Sequence, residues 1–592
     1  MAYPWHMNTY SPSEKDLRRS ALDFYGLLSL STILVFVTVV VCWLGHLHRT
    51  HFTNPTSLSR RVYRLKWYLS TPLFARSGAS KKTYLLSTLW ILFLLCMVTA
   101  GTGDDYFHLT KRIAHTAASL LPAQYLLSSR FILQYTSIVT YQTHETLNTA
   151  HRWLGRSIYT LITLHAILYI NYFVQLNPDR FFRQDVLFGV IGLGILNTIF
   201  ITSLPYYRRK AYRLFYGVHQ LLGILILPVC WFHVVYIRRY ILLCGAVYVV
   251  DFVGRWSVTR EVKVRVSVFS EGLVDLRGVA GWLVPSPSTP NTPTLRPSNS
   301  TVATGEVGGK GVKVPAGSHF YVYVASMQHN RGNPFTICTA DSKDGEVRFS
   351  VRVRDGFTRE LQDMADKDIT MMVEGPYGIS GVNMSLGFGY FDSFLFVTGG
   401  VGITMTFGVL RELIKWIEVD GLEKGGKGRV RFVWSAKGVE EAAWPVGELL
   451  KGGAPTYTPD VDIYISGSKA KKEREEEVEL EDLVEDERLL PTTIATTDEE
   501  EEEERGKGSD KDDDRKIDGL RYRYAGTGIT PKIWKGRPDV YRIAGEFCEE
   551  EKGRRIGVFV CGPDGMREDV RRSLGRYYSD SMIWVWEEKF GH

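Results

Sequence analysis

The sequence predicts a membrane-embedded all-α domain of about seven helices, then a small antiparallel β-barrel and an α/β domain built on a doubly wound sheet. Three observations predict this multi-domain order. Long uncharged runs recur before residue 240, period-two alternation begins after Arg255, and short apolar runs ending in glycine turns follow from about residue 390.

The chain has 592 residues, more than a single hydrophobic core usually supports. Its averages are bland: 45% hydrophobic, 23% charged and a formal net charge of +6. Mean hydropathy is −0.09. These values exclude collagen-like, disulfide-dense and wholly disordered classes, but an average over two unlike halves conceals both. The seven cysteines show no CxxC spacing, and Cys42, Cys96, Cys230 and Cys244 lie in apolar runs. Reduced, packed thiols are expected rather than a disulfide framework. The first twenty residues lack the apolar stretch and small-residue cleavage site of a signal peptide.

Four uncharged runs, 24–45, 83–103, 157–178 and 186–207, are each near the ~20 residues that cross a bilayer. A fifth, 214–237, is interrupted only by His219 and His233, and 113–129 and 240–254 complete a count of seven. Loop charge sets the orientation. Residues 46–82 hold eight Lys or Arg and no acid, and Arg208, Arg209, Lys210 and Arg213 form a second basic loop. Both belong in the cytoplasm, which puts the N-terminus outside and the C-terminal half inside. Arg238 and Arg239 then fall on the outer side, against the trend of the two stronger loops.

The expected domains are 1–255 in the membrane, 256–390 as the barrel and 391–592 as the α/β domain. EVKVRVSVF and HFYVYV alternate as half-buried strands do, whereas FLFVTGG, VRFVWS and IGVFVCG read as buried parallel strands. Two inserts interrupt this half. Residues 285–310 are Pro/Ser/Thr-rich and read as an unstructured loop. Residues 471–515 hold 21 acids against 8 bases; this local −13 leaves +19 on the rest of the chain. Such a block cannot bury a core and is expected to be solvated.

Four histidines carry the sharpest signal. His151 and His165 are 14 residues apart, and so are His219 and His233. On a helix that spacing is about 21 Å along the axis and close to whole turns, so both members face one side. The two segments are two crossings apart and run in the same direction. His151 then shares a depth with His219 near the cytoplasm, and His165 shares one with His233 near the outer face. Opposed imidazoles at two levels are what bis-histidine ligation of two b-type haems requires. Two imidazoles per level, with no adjacent Cys or carboxylate, are too few for a zinc or copper centre. His46, His48, His51 and His115 read as surface or interface residues. Asp104, Asp105 and His108 read as an outer loop, solvated or attractive to cations.

The segment His151-Arg-Trp-Leu-Gly-Arg156, the paired histidines and the motifs that follow resemble the fungal ferric reductases of the flavocytochrome b superfamily, which also contains the NADPH oxidases. The resemblance implies a haem-bearing membrane domain, an FAD-binding barrel of ferredoxin-reductase type and a nicotinamide-nucleotide domain. Asn333-Pro334-Phe335-Thr336-Ile337 resembles the flavin motif HPFT-I, with Asn333 where the family usually has His. VRVRDGFTREL, over 351–361, is similar to the segment that meets the FAD pyrophosphate, which implicates Arg354, Gly356 and Thr358 together with Phe357. Gly375 lies in the Glu-Gly-Pro-Tyr-Gly run that follows. Thr398-Gly399-Gly400-Val401-Gly402-Ile403-Thr404 lies between an apolar strand and a helical stretch, as a pyrophosphate turn does. Cys561-Gly562-Pro563 resembles the motif beside the nicotinamide. Lys437, after the second nucleotide strand, suits a 2′-phosphate and hence NADPH. Phe590 corresponds to the aromatic residue that shields the flavin, and His592 departs from the common terminal Trp.

The expected activity is transfer of electrons from cytosolic NADPH through FAD and two haems to external ferric iron. The acceptors expected are ferric chelates or siderophores, with cupric ion as a second substrate. Membrane lipid surrounds the first domain, an iron permease is an expected partner, nucleic acid is not, and the plasma membrane is the expected location. Two other readings remain open at this point. A superoxide-forming NADPH oxidase would use the same path with dioxygen, and a non-catalytic haem-binding regulator would keep only the fold.

Overall fold

In the computed structural model, the residues described are 10–31, 57–71, 80–133, 144–270, 272–280, 316–327, 332–341, 346–378, 388–418, 429–445, 457–467, 517–518, 520–521, 528–578 and 581–588, with a few single residues between them. The remainder of the first expected span, His46, His48, His51, both inserts and Phe590 lie outside them. The chain divides into two units, Met1–Val258 and Thr259–His592.

The first unit is helical. The described helices are α1 over 12–31, α2 (Ser57–Ser70), α3 (Lys81–Thr99), α4 (Tyr106–Leu126), α5 (His144–Leu176), α6 (Gln184–Ser203), the short α7 (Pro205–Lys210), α8 (Tyr212–His233) and α9 (Arg238–Ser257). Helix therefore occurs at each of the seven expected positions. Among the described residues four segments, Lys81–Thr99, Leu147–Leu176, Gln184–Ser203 and Tyr212–His233, are long and apolar enough to cross a membrane. Leu85, Leu86, Leu89, Ile91, Leu92 and Leu95 of α3 are all exposed. An outward face of this kind is stable against lipid, where burying apolar surface is unnecessary.

Helix α4 has the opposite character and lies at the centre of the unit, packed on α3, α5 and α9. Tyr106, Thr110, Arg112, Ile113, Ala117 and Leu120 on it are buried. Its start corrects the reading of Asp105 and His108 as an outer loop, solvated or attractive to cations. Asp105 is buried and caps the helix, accepting from the backbone N–H of Phe107 and His108, and it pairs with Arg18. His115 is also buried rather than superficial, with Tyr240 Oη and an Arg239 nitrogen each 3.3 Å from its Nε2. Helix α5 begins thirteen residues before the apolar run that announced it, because amphipathic residues 144–156 continue the same helix.

The second unit opens with a closed antiparallel barrel of six strands in the order β1-β2-β5-β4-β3-β6. These are β1 (Thr259–Ser270), β2 (Leu273–Val279), β3 (His319–Tyr323), β4 (Asn333–Asp341), β5 (Glu346–Arg352) and β6 (Asp368–Tyr377), with the short α10 (Phe357–Asp363) before the last. Alternation in EVKVRVSV sends Val262, Val264 and Val266 into the core, where they meet Phe320, Val322, Phe349 and Val351. Ile337 of the flavin-like motif belongs to this core.

A parallel sheet follows in the order β10-β9-β8-β7-β11-β12. Its strands are β7 (Ser393–Gly399), β8 (Val430–Ala436), β9 (Asp460–Ile465), β10 (Lys532–Lys535), β11 (Arg555–Cys561) and β12 (Met582–Glu588). Helices α11 (Ile403–Trp416), α12 (Val439–Ala442), α13 (Val540–Glu550) and α14 (Asp564–Leu574) connect them. Burial on both sides explains why β7 and β11 read as continuous apolar runs. The chain moves outward from β7 to β10 and returns to lay β11 beside β7. The strand order therefore reverses between these two, at the position where such sheets bind ligands.

Candidate functional site

In the helical unit each histidine-bearing helix lies along a different neighbour: α5 along α4, and α8 along α6. The neighbour fixes the imidazoles. His151 Nδ1 donates to the Gln124 carbonyl at 3.2 Å and His165 Nδ1 to the Thr110 carbonyl at 2.9 Å. The acceptors are themselves 14 residues apart on α4, matching the histidine spacing on antiparallel α5. The Gln124 carbonyl lies in the last turn of its helix, where carbonyls have no intrahelical donor. His233 Nδ1 donates to the Asp185 carbonyl at 2.7 Å. His219 Nδ1 is 3.2 Å from Ser203 Oγ, whose own hydroxyl donates to Ile199.

With Nδ1 carrying the proton in each case, Nε2 keeps its lone pair; this tautomer follows from the hydrogen-bond network. Gln124 Nε2, 3.2 Å from His151 Nε2, donates to that lone pair. The rings of His151 and His219 have centroids 6.3 Å apart. Two metal–nitrogen bonds of about 2 Å plus two ring radii of about 1.2 Å span a similar distance, so the separation suits two imidazoles that share one metal ion. The buried Gln124 Oε1 has no hydrogen-bond partner, as expected of a polar group facing a ligand's place. Glycines make room beside the imidazoles. A Cβ on Gly155 would lie 2.9 Å from Gln124 Nε2, and one on Gly189 would lie 2.7 Å from the His233 ring. Among the described residues no group of three or more His, Cys, Asp or Glu is placed to hold a metal ion. Two imidazoles per level are a donor set that suits a metal whose remaining ligands come from a macrocycle.

In the second unit the reversal point gathers the glycine motifs. Cys561 on β11 stands opposite Thr398 on β7, so both strands end at one level. A Cβ on Gly399 would meet Pro563 Cδ at 2.9 Å, and one on Gly562 would lie 3.3 Å from the Gly399 nitrogen. Gly400 adopts φ +51°, and its carbonyl accepts from Trp434 Nε1 at 3.1 Å. A Cβ on Gly402 would press to 2.5 Å from the Cys561 carbonyl. The two turns therefore close on each other, and the bare backbone at the start of α11 is what a pyrophosphate requires.

Three residues expected here have structural positions. Thr404 is buried and its hydroxyl donates to the Val401 carbonyl at 3.0 Å, which holds the turn. Cys561 is fully buried, with Gly402 over its sulfur. Ile337 faces the barrel core. Lys437, in contrast, is exposed at the end of β8, the second nucleotide strand.

The flavin-like motif forms β4. Asn333 and Phe335 are half-buried, Pro334 is exposed and Thr336 is buried. Phe335 stacks with Phe357 at 5.9 Å, which joins this motif to the 351–361 segment. There Gly356, at φ +82°, turns the chain into α10, and Thr358 Oγ1 accepts from the Arg354 backbone N–H at 2.6 Å. The Arg354 side chain is exposed. Gly375, at φ +150°, packs against Phe320 and the His319 carbonyl at the end of the barrel. Helix α11 packs on β4, which brings the nucleotide turn and the flavin strand into one unit.

Three family models match the chain in this order. Residues 113–230 match the ferric reductase like transmembrane component, 308–381 an FAD-binding domain and 391–574 the ferric reductase NAD binding domain. Ferric reductase transmembrane component 1 of Schizosaccharomyces pombe is 24% identical over 51% of this chain and 55% of that protein. Ferric/cupric reductase transmembrane component 2 of Saccharomyces cerevisiae is 22% identical over 98% of this chain and 79% of that protein. The probable cell surface ferric reductase kap2 of Aspergillus oryzae is 27% identical over 61% of this chain and 48% of that protein. The chain thus spans about half the length of the first and third of these relatives.

Proposed function

We propose that this chain, which combines the membrane component, FAD-binding domain and NAD-binding domain of the ferric reductases, is a transmembrane metalloreductase. Its donor is cytosolic NADPH and its acceptor is external ferric iron held in chelates or siderophores, with cupric ion as a second acceptor. When bound, FAD takes the electron pair of the nicotinamide, and two b-type haems conduct single electrons across the membrane. The observation that carries this reading is the pair of histidine levels, each imidazole with its Nδ1 engaged by a neighbouring helix, so that Nε2 carries the lone pair, which at His151 accepts from Gln124.

The remaining roles belong to residues of this chain. His151 with His219 would hold the haem nearer the cytoplasm, and His165 with His233 the outer one. Asn333, Pro334, Phe335 and Thr336 supply the flavin surface, with Arg354, Gly356 and Thr358 at its pyrophosphate. Gly399, Gly400 and Gly402 give the nucleotide pyrophosphate its bare backbone. Gly562 and Pro563 form the opposing wall. Lys437, an exposed cation just after β8, supports NADPH over NADH because a 2′-phosphate wants a basic partner. Phe590 is assigned the flavin-shielding role from the sequence resemblance. The basic loops support a cytosolic C-terminal half, and we assign the protein to the plasma membrane with an iron permease as partner.

The test uses the full chain in detergent. One FAD and two haems per chain are expected, with NADPH-dependent reduction of a ferric chelate, and His151→Ala should retain the FAD but lose one haem and ferric reduction together. Full haem content in that variant would remove the ligand assignment.

A further inference from the structure

Arg352, the last residue of β5, lies in the 351–361 segment likened above to the one that meets the FAD pyrophosphate, yet its side chain reaches out of the barrel to the nucleotide turn. Its Nη2 lies 3.1 Å from where a Cβ on Gly400 would stand, and that glycine's positive φ and missing side chain leave the approach open. The same nitrogen donates to Glu441 Oε1 at 2.6 Å. Glu441 is nearly buried, and its other oxygen accepts from the backbone N–H of Lys437 at 2.9 Å. A cation from the flavin barrel thus overhangs the pyrophosphate turn. It is held there by a carboxylate that also shapes the loop bearing the lysine assigned to the 2′-phosphate.

We propose that Arg352 is a second-domain ligand of the nicotinamide nucleotide's diphosphate, and that Glu441 is its resting partner, released in favour of the diphosphate when the nucleotide binds. This rests on the reading of Gly399–Gly402 as the nucleotide turn. The chemistry favours the exchange. A guanidinium forms paired hydrogen bonds to phosphate oxygens as readily as to a carboxylate, and a diphosphate against free backbone N–H groups is the more highly charged acceptor. Glu441 keeps its bond to Lys437, so the lysine loop is not left without an anchor. One consequence is coupling: the nucleotide clamps the barrel to the sheet through the residue that ends β5.

The test uses the full chain with FAD bound and two probes that each carry part of the nucleotide. ADP-ribose has the diphosphate and adenosine 2′-monophosphate does not. Arg352→Gln should weaken ADP-ribose binding about tenfold, leave adenosine 2′-monophosphate unchanged and retain the FAD. Glu441→Gln keeps an acceptor for the Lys437 N–H but frees the guanidinium, and should tighten ADP-ribose several-fold. Unchanged ADP-ribose affinity in both variants would overturn the proposal, as would equal weakening of both probes. Loss of FAD from Arg352→Gln with normal ADP-ribose binding would instead give the arginine to the flavin diphosphate. A wild-type chain that binds neither probe would overturn the nucleotide reading of the turn itself.

Discussion

Among the four imidazoles, His219 alone has a side chain as its Nδ1 partner, Ser203, whereas backbone carbonyls serve the other three. Side-chain mutation can therefore remove this one support and leave the ligands in place. Ser203→Ala should lower haem retention at the inner level about tenfold and leave the outer haem bound, as haem content and spectra would report. Equal loss at both levels, or none, would count against the pairing of His151 with His219. The histidine spacing was legible in the sequence because a 14-residue repeat on a helix has only one geometric meaning. Thr110, Gln124 and Asp185 were not, since a backbone carbonyl carries no residue signature. The matching 14-residue interval between Thr110 and Gln124 was the available clue. Asp105 was misread because an acid before a helix can serve as its cap or as a loop charge, and only Arg18, 87 residues away, decides between them.

At the scale of elements, the seam between barrel and sheet depends on polar residues that alternation would assign to solvent. Asp275 on β2 and Arg348 on β5 are each about 1% exposed, because Trp444 beyond α12 covers them. Trp444 Nε1 donates to Asp275 at 3.2 Å, and the Arg348 guanidinium lies 4.7 Å from the Trp444 ring centre. Asp275→Ala leaves a buried guanidinium without its carboxylate and should cost about 3–5 kcal/mol, read as earlier thermal unfolding with loss of FAD. A change under about 1 kcal/mol would mean that water reaches the arginine.

The opposite end of the sheet offers a pH test. Arg555 donates to both Asp392 oxygens, from Nη2 at 2.7 Å and Nε at 3.2 Å, where β7 and β11 begin. Burial acts to raise the Asp392 carboxyl, but these hydrogen bonds outweigh it and hold the group below the usual carboxylate range. A lowered native pKa gives stability that is complete above the unfolded value of about 3.9 and is lost as pH falls through the native one. The difference in melting temperature between wild type and Asp392→Asn should therefore be constant above about pH 5 and shrink below about pH 4. A difference that grew on acidification would reverse the sign of the linkage.

Over the whole molecule, all three domain classes could be read from hydrophobic patterning alone. Period two gave the barrel, continuous apolar runs gave the parallel sheet, and outward-facing apolar helices gave the membrane unit. What periodicity could not convey was how helix α4 binds the others. Its surface of Arg112, His115, Thr116 and Ser119 reads as polar, yet all four residues are buried. Their burial reflects helix–helix packing around a polar interior, which a hydropathy window averages away. The same limit applied to Arg352, a charged residue at a strand end whose partners Gly400 and Glu441 lie far along the chain.

In the proposed function, electrons cross the membrane through two histidine-ligated levels to a ferric acceptor. Sealed right-side-out vesicles containing the chain, loaded with NADPH and presented outside with a membrane-impermeant ferric chelate, test it directly. Reduction should proceed without oxygen, resist superoxide dismutase and disappear in His165→Ala vesicles. Reduction that needs oxygen and is abolished by the dismutase, or that survives intact in His165→Ala, would contradict the account.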